Sequence, residues 1–485
     1  MNRELRRLSV VVLAMFLALF GSTTVIQVIQ AEALAKDARN TRALYDSYDV
    51  ERGAILASDG TVVAQSVPTG DEFMYQRQYP QADLYSAVTG YYNPTQGSTG
   101  IERSMNEYLS GTSNTQFFDT LNRIVAGQAP RGAAVELTID PVVQQAASDA
   151  LGDRRGAVVA MNPKTGKILA MVTSPDYDPN TLASHDSKQV LEQYRALNAD
   201  PLQPLINRAI QGNMNPPGST FKLVVVSAAL STGDYTPDTE LPNPVSYTLP
   251  GTSTEVFNFT RGACGPGETV TIAEALRQSC NVPMAELGIK LGDDVIRAEA
   301  EKFGFNSGFD IPTTVEGSVY PDDLNAPQTG LSAFGQSDVR ATPMQMAMVS
   351  AGIANGGNVM NPSLVDRVVG RNFEALQTFE PSVKSTAISE DVAKQMTQMM
   401  IANVDTGQAN NARIEGVDVA GKTGTAQNGD DDPYTLWFTG FAPAANPEVA
   451  VAVVVENDGN LGRHSSGNIV ASPIAKKVME AVLNK

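Results

Sequence analysis

The stretch Asn215-Pro216-Pro217-Gly218-Ser219-Thr220-Phe221-Lys222 decides how the rest of the chain is read. Two prolines and a glycine end a loop, and the apolar run Leu223 to Leu230 follows, so this is a loop-to-helix junction. Ser219 at the helix start and Lys222 three residues on share one face, which lets the ammonium nitrogen approach the serine hydroxyl. A serine needs a base to become nucleophilic. The chain has two histidines, His185 and His464, and neither lies near a serine and acid pattern, which leaves a lysine of lowered pKa as the base. Burial and a second nearby cation are the means of lowering it. An isolated Ser-x-x-Lys is more often an N-capping serine followed by a surface lysine. Here it has company downstream.

Ser279-Cys280-Asn281 ends a helix-like stretch about 60 residues on, and Lys422-Thr423-Gly424-Thr425 follows about 140 residues after that. Each is weak alone. Ser104-Met105-Asn106 and Ser466-Gly467-Asn468 match the Ser-x-Asn pattern equally well and read as helix-surface or loop segments. Lys164-Thr165-Gly166 repeats Lys-Thr-Gly in what reads as a hairpin turn, where Gly166 supplies turn geometry and Lys164 is solvated. Gly421-Lys422-Thr423-Gly424-Thr425-Ala426 instead has small side chains where a strand edge could admit a substrate backbone.

The chain has 485 residues, a prior of about three domains. With 42% hydrophobic and 18% charged residues it is ordinary globular protein, and a collagen-like, repeat-only or wholly disordered chain is excluded. The 35 basic against 53 acidic residues leave a net charge of −18, which argues against nucleic-acid partners. Two cysteines and two histidines without ligand-pair spacing argue against a structural metal. There is no P-loop, and Gly265-Pro266-Gly267 lacks the third glycine of a dinucleotide loop, so no cofactor is expected.

Arg3, Arg6 and Arg7, against only Glu4, precede an uncharged stretch from Leu8 to Ala31, about 24 residues and long enough to cross a bilayer. The arginines predict a cytoplasmic N-terminus and an extracytoplasmic bulk. Residues 1–31 read as an uncleaved anchor because Val25, Ile26, Val28 and Ile29 prolong the apolar run; a cleaved signal ending near Ala31-Glu32-Ala33 is the alternative. Export permits a bridge between Cys264 and Cys280 worth ~3 kcal/mol in the chain-entropy model, two buried free thiols being the alternative.

Residues 32–139 read as a modest extended domain of low regularity, turn-rich at Gly97-Ser98-Thr99-Gly100. Val142 to Leu151 reads as a helix leading into 140–485. Gly156 to Met161 and Lys167 to Thr173 form a hairpin pattern, and strands return at Leu436 to Phe441 and Glu448 to Glu456, followed by a helix over Ile469 to Leu483. Apolar runs at Phe221 to Leu230, Ile272 to Leu276, Pro283 to Leu291 and Met344 to Ile353 make the middle mostly helical. Strands at both ends with a helical insertion predict an α+β domain with an antiparallel sheet.

The order Ser-x-x-Lys, Ser-x-Asn, Lys-Thr-Gly resembles that of the serine penicillin-recognising enzymes. The likeness extends to Asn207-Arg208-Ala209, Thr342-Pro343-Met344-Gln345-Met346-Ala347 with Ala354-Asn355-Gly356, and Trp437-Phe438-Thr439-Gly440-Phe441-Ala442-Pro443. Arg52-Gly53-Ala54-Ile55 and Gly100-Ile101-Glu102-Arg103 look like the non-catalytic N-terminal domain of monofunctional class B penicillin-binding proteins, most like the short actinobacterial A type without C-terminal PASTA modules. Gly335-Gln336-Ser337 departs from the usual Gly-Gln-Gly, and Ala57-Ser58-Asp59-Gly60 from an Asp-Arg-Asn-Gly-like turn.

The resemblance implies a D,D-transpeptidase that cross-links peptidoglycan stem peptides through a serine acyl-enzyme and is blocked by β-lactams. Ser219 is then the nucleophile and Lys222 its base. Ser279, with Lys422 beside it, passes a proton to the leaving amine, while Asn281 holds the substrate amide and orients Lys222. Backbone N–H groups of Ser219 and Thr425 form the oxyanion hole, and Thr423, Gly424 and Thr425 bind substrate, the two threonines taking its terminal carboxylate. Implied partners are the stem peptides and their lipid-linked precursor, β-lactams, and a SEDS-type glycan polymerase contacted through the anchor and N-terminal domain. A D,D-carboxypeptidase, a β-lactamase and a catalytically silent wall-synthesis scaffold are the rival readings; the anchor and extra domain argue against a soluble β-lactamase.

Overall fold

A computed structural model describes residues 2–26, 50–70, 73–116, 131–212, 214–370, 373–429, 432–456, 461 and 465–484. The readings placed on Val28, Ile29, Ala31 to Ala33 and His464 lie outside the described residues. At the N-terminus a helix runs Asn2–Thr24; its part Leu5–Thr24 is long and apolar enough to cross a membrane, its 20 residues spanning about 30 Å.

The C-terminal part of the chain is organised by a five-stranded antiparallel sheet in the order Ala420–Ala426, Thr435–Ala442, Val449–Glu456, Gly156–Met161, Ile168–Ser174. Residues at the two ends of the domain meet where Val455 pairs with Gly156 and Ala450 with Met161. Gly156–Met161, Thr435–Ala442 and Val449–Glu456 read as mostly apolar runs because both faces are covered. Val158 and Ala160 face the helices Pro141–Leu151 and Gly467–Leu483, while Ala157, Val159 and Met161 pack against the helical insertion. Each fully buried valine here contributes about 1.5–3 kcal/mol. Asp140 starts the first of these helices by accepting from the N–H groups of Val142 and Val143, with Pro141 in the first turn.

The insertion carries the helices Lys222–Thr232, Ile272–Arg277, Val282–Leu291 and Pro343–Ala354, matching the four apolar runs. It also carries helices the apolar runs do not announce. Glu390–Asp405 buries Val392, Ala393, Met396, Met399, Met400, Asn403 and Val404, a 3.6-residue stripe diluted by polar residues. Ser187–Ala199 buries only Val190 and is set by the Asp186 cap.

The N-terminal segment is more regular than its turn-rich sequence predicts. Its strands join a six-stranded sheet in the order Ala375–Thr378, Val365–Val369, Ala134–Leu137, Ile55–Leu56, Val62–Pro68, Tyr75–Gln78. Two of these strands come from the distal half of the chain, with Val135 opposite Val368, so the sheet straddles the boundary expected at 139/140. Strands of two to seven residues with partners so far apart in sequence leave no local signal. Arg52 and Glu102 meet here: Glu102, with 0% exposure, takes Arg52 Nε and Arg77 Nε at 2.6 Å each and the Tyr79 hydroxyl at 3.2 Å. Burial opposes the Glu102 charge, but the two guanidiniums outweigh it and hold the carboxyl below its usual range.

Candidate active site

The Pro-Pro-Gly loop ends in a single 3₁₀ turn, Gly218–Phe221, that runs directly into Lys222–Thr232. Three contacts fix this turn. Trp437 Nε1, from the second strand of the sheet, donates to Pro216 O at 2.9 Å, and the Thr220 hydroxyl donates to Pro217 O at 2.7 Å. Gly218 N–H donates to Gly335 O at 3.0 Å, and a Cβ on Gly335 would stand 2.1 Å from Gly218 O, so the Gly335-Gln336-Ser337 segment forms the floor under the Ser219 turn. Ser337 is held at φ 62°, a left-handed backbone that costs a side chain on the order of 1 kcal/mol. Gln336 pairs with the backbone of Gln427 at 3.1 and 3.2 Å, closing the end of the edge strand.

Ala420–Ala426 is that edge strand, its register set by Lys422 opposite Thr439 and Gly424 opposite Trp437. Gly424 lies against the Ser219 turn so tightly that a Cβ would sit 2.8 Å from Pro217 O and 3.1 Å from Thr220 Cγ2. The sequence-predicted residues therefore converge: the Ser219 turn, the edge strand and the Ser279-Cys280-Asn281 loop meet around two lysines with 0% exposure, Lys222 and Lys422. Ser219, Ser279, Asn281 and Thr425 remain partly open to solvent above them.

Lys222 Nζ donates to Ser279 O at 2.7 Å and to Asn281 Oδ1 at 2.8 Å. Lys422 Nζ donates to Ser279 Oγ at 2.6 Å and to Thr423 O at 2.9 Å. Burial first, and the Lys422 charge second, hold Lys222 well below the usual lysine range, and burial brings Lys422 down to about 7. In this resting geometry Lys222 directs its hydrogen bonds to the Ser-x-Asn loop, one helical turn from Ser219. The hydrogen bond between a serine and its base is often long in the absence of substrate and closes when substrate binds. A neutral lysine next to a serine can accept its proton, and an ammonium on a second serine can supply one.

Ser279 takes φ 59°, a left-handed conformation for a non-glycine residue, at the end of Ile272–Arg277. Cys280, between the two polar residues, is bridged to Cys264 with a Cα–Cα distance of 5.9 Å. The bridge therefore ties the loop to the segment Asn243 to Glu268, where Asn243 accepts the Cys264 N–H at 2.6 Å. Asn258 also reaches this loop, accepting from the N–H groups of Asn281 and Val282 at 2.8 and 3.0 Å. A lone asparagine 23 residues upstream gives no sequence signal of that contact.

The Thr423 hydroxyl donates to Gln408 O at 3.0 Å, and the Thr425 hydroxyl accepts from Gly467 N–H at 3.3 Å. Thr425 thus keeps its proton for a ligand. The Gly467 contact brings Ser466-Gly467-Asn468 against the edge strand as the cap of the last helix, so this decoy has a structural use. Ser104 lies on a helix surface, its hydroxyl donating to Gly100 O at 3.1 Å. Lys164 is exposed in the hairpin turn and donates to Asn446.

Residues 156–480 match the penicillin binding protein transpeptidase domain, and residues 52–135 match the penicillin binding protein A dimerisation domain. The chain is 41% identical over its full length, and the relative's, to the peptidoglycan D,D-transpeptidase PbpA of Mycolicibacterium smegmatis. It is 39% identical to the protein of the same name from Mycobacterium tuberculosis, over 100% of this chain and 99% of that one. Among solved structures, the ceftriaxone acyl-enzyme complex of penicillin-binding protein A from M. tuberculosis superposes with a TM-score of 0.87 at 38% identity, covering 91% of this chain and all of that one.

Proposed function

The chain belongs to the penicillin-binding protein transpeptidase family, and on that premise we propose that it is a peptidoglycan D,D-transpeptidase acting through an acyl-enzyme on Ser219. The observation that carries the reading is the pair of fully buried lysines, each hydrogen-bonded to the Ser-x-Asn loop and one of them a helical turn from Ser219. Neutral Lys222 takes the Ser219 proton as Oγ attacks the carbonyl of the penultimate D-Ala of a stem peptide. The oxyanion is received by the N–H groups of Ser219 and Thr425, each worth about 2.7–4 kcal/mol by comparison with other hydrolases. The tetrahedral adduct collapses, the C–N bond breaks, and the leaving D-Ala nitrogen takes a proton from Ser279 Oγ, which Lys422 replenishes. Asn281 holds the substrate amide and keeps Lys222 oriented; the open proton of Thr425 binds the terminal carboxylate, while Thr423, whose hydroxyl proton goes to Gln408 O, and Gly424 meet the substrate through their backbone. An amine from a neighbouring stem then attacks the ester carbon and gives its proton through Ser279 to the now neutral Lys422, while Lys222 returns its proton to Ser219 Oγ as the ester C–O bond breaks, leaving the cross-link formed and both lysines reset.

β-Lactams acylate the same serine and leave it slowly. The cluster of arginines before Leu8 supports a cytoplasmic N-terminus with residues beyond the helix on the outer face. The helix and the N-terminal sheet are the surfaces offered to a SEDS-type glycan polymerase, a partner supported by the family resemblance. Supplying the full chain in detergent with a pentapeptide donor and an amine acceptor, and resolving dimer from hydrolysed donor by mass, tests the reaction. Dimer that disappears in Ser219→Ala is the expected result. Tetrapeptide alone would make the protein a carboxypeptidase, and dimer formation by Ser219→Ala would overturn the assignment.

A further inference from the structure

We propose that Asn258 is a positioning residue for acyl transfer, holding Asn281, and through it Lys222, in register with Ser219; this rests on the catalytic reading above. Asn258 follows the short strand Glu255–Phe257 and is 5% exposed. Helix Val282–Leu291 opens on Asn281, whose side chain makes no cap bond. Its first N–H groups have no acceptor within the helix and need one from outside. Asn258 Oδ1 provides it from 23 residues upstream, accepting from Asn281 N–H at 2.8 Å and Val282 N–H at 3.0 Å. Its own amide cannot turn over, because Nδ2 donates to Gly262 O at 2.9 Å.

The same strand end fixes the Asn281 side chain. Phe257 O accepts from Asn281 Nδ2 at 3.1 Å. A carbonyl accepts only, so this contact sets which end of the amide faces which way and leaves Oδ1 pointing to Lys222 Nζ at 2.8 Å. Asn258 thus holds the Asn281 backbone while Phe257 holds its side chain. Without Asn258 two buried N–H groups lose their acceptor, and the loop is free to shift the acceptor that aims Lys222. A displacement of about 1 Å at such a group can cost on the order of 100-fold in rate.

The test is acylation of the full chain in detergent by a fluorescent penicillin, with binding constant and first-order acylation rate resolved separately and the unfolding temperature recorded for every variant. Asn258→Ala is expected to lower the acylation rate about 10- to 100-fold. In an Asn281→Ala background the same change should add less than about twofold, since the Asn281 side chain through which it acts on Lys222 is already gone. Asn258→Asp keeps the acceptor for both N–H groups and should stay within about fivefold of wild type at its own pH optimum. An Asn258→Ala rate equal to wild type, or a full multiplicative loss on top of Asn281→Ala, would overturn the proposal. If Asn258→Ala does not fold, a folded Asn258→Asp as slow as Asn281→Ala overturns it equally. Wild type that does not label at all would instead overturn the acyl-enzyme reading beneath it.

Discussion

Replacing Lys422 by methionine should make the protein inert and, at neutral pH, more stable. Lys422 has 0% exposure, and burial brings its pKa from 10.5 to about 7. In the unfolded chain the same ammonium keeps its proton to about pH 10.4. Between those values the unfolded state holds a proton that the folded state has lost, at about 1.4 kcal/mol per pH unit. Because the folded pKa is the depressed one, the penalty is absent above about pH 10.4, grows as pH falls, and is complete below about 7 at on the order of 5 kcal/mol. Methionine has similar length and no charge to bury. Against that gain, Ser279 Oγ and Thr423 O lose their donor, at about 1–2 kcal/mol each. The expected net effect is a gain of about 1–3 kcal/mol at pH 7. The sharper quantity is the slope: urea unfolding of wild type and Lys422→Met, full chain in detergent, should show the variant's advantage shrinking by about 1.4 kcal/mol per unit through pH 7.5 to 9.5. Stability curves that run parallel across that window would refute a buried Lys422 of lowered pKa.

Glu102→Ala would leave Arg52 and Arg77 buried without their carboxylate, and should cost about 3–5 kcal/mol, read as a fall in unfolding midpoint. Cys264→Ser with Cys280→Ser should lower stability by about 3 kcal/mol, and wild type treated with reductant should reproduce the shift. Gly335→Ala would push a Cβ into Gly218 O, 2.1 Å away, at φ 73°. Its acylation rate should fall by on the order of 100-fold, and a rate within threefold of wild type would contradict the floor assigned to that segment.

The parts of this molecule that were legible in sequence are those in which one physical demand acts on consecutive residues. Strands 156–161, 435–442 and 449–456 are covered on both faces, so nearly every position had to be apolar and the run is visible. The three motifs were legible because each is local and their order is distinctive. Helix Glu390–Asp405 escaped because its buried stripe is interrupted by polar neighbours, and Ser187–Ala199 because it buries a single residue. The N-terminal sheet escaped because Ala134–Leu137 finds its partner at Val365–Val369, more than two hundred residues on. Glu102 carries no local signal beyond the resemblance of its segment to the family; its reason, two buried guanidiniums from Arg52 and Arg77, exists only after folding. Asn258 is the extreme case, an ordinary asparagine whose function lies entirely in the two N–H groups it faces.

The central claim is that Ser219 carries the acyl group. Intact mass of the full chain after exposure to penicillin G, followed by peptide mapping, tests it directly. The account predicts one adduct of the drug's full mass, confined to the peptide containing Ser219, persisting for hours and absent in Ser219→Ala. An adduct on another serine, or none on folded wild type, would contradict it.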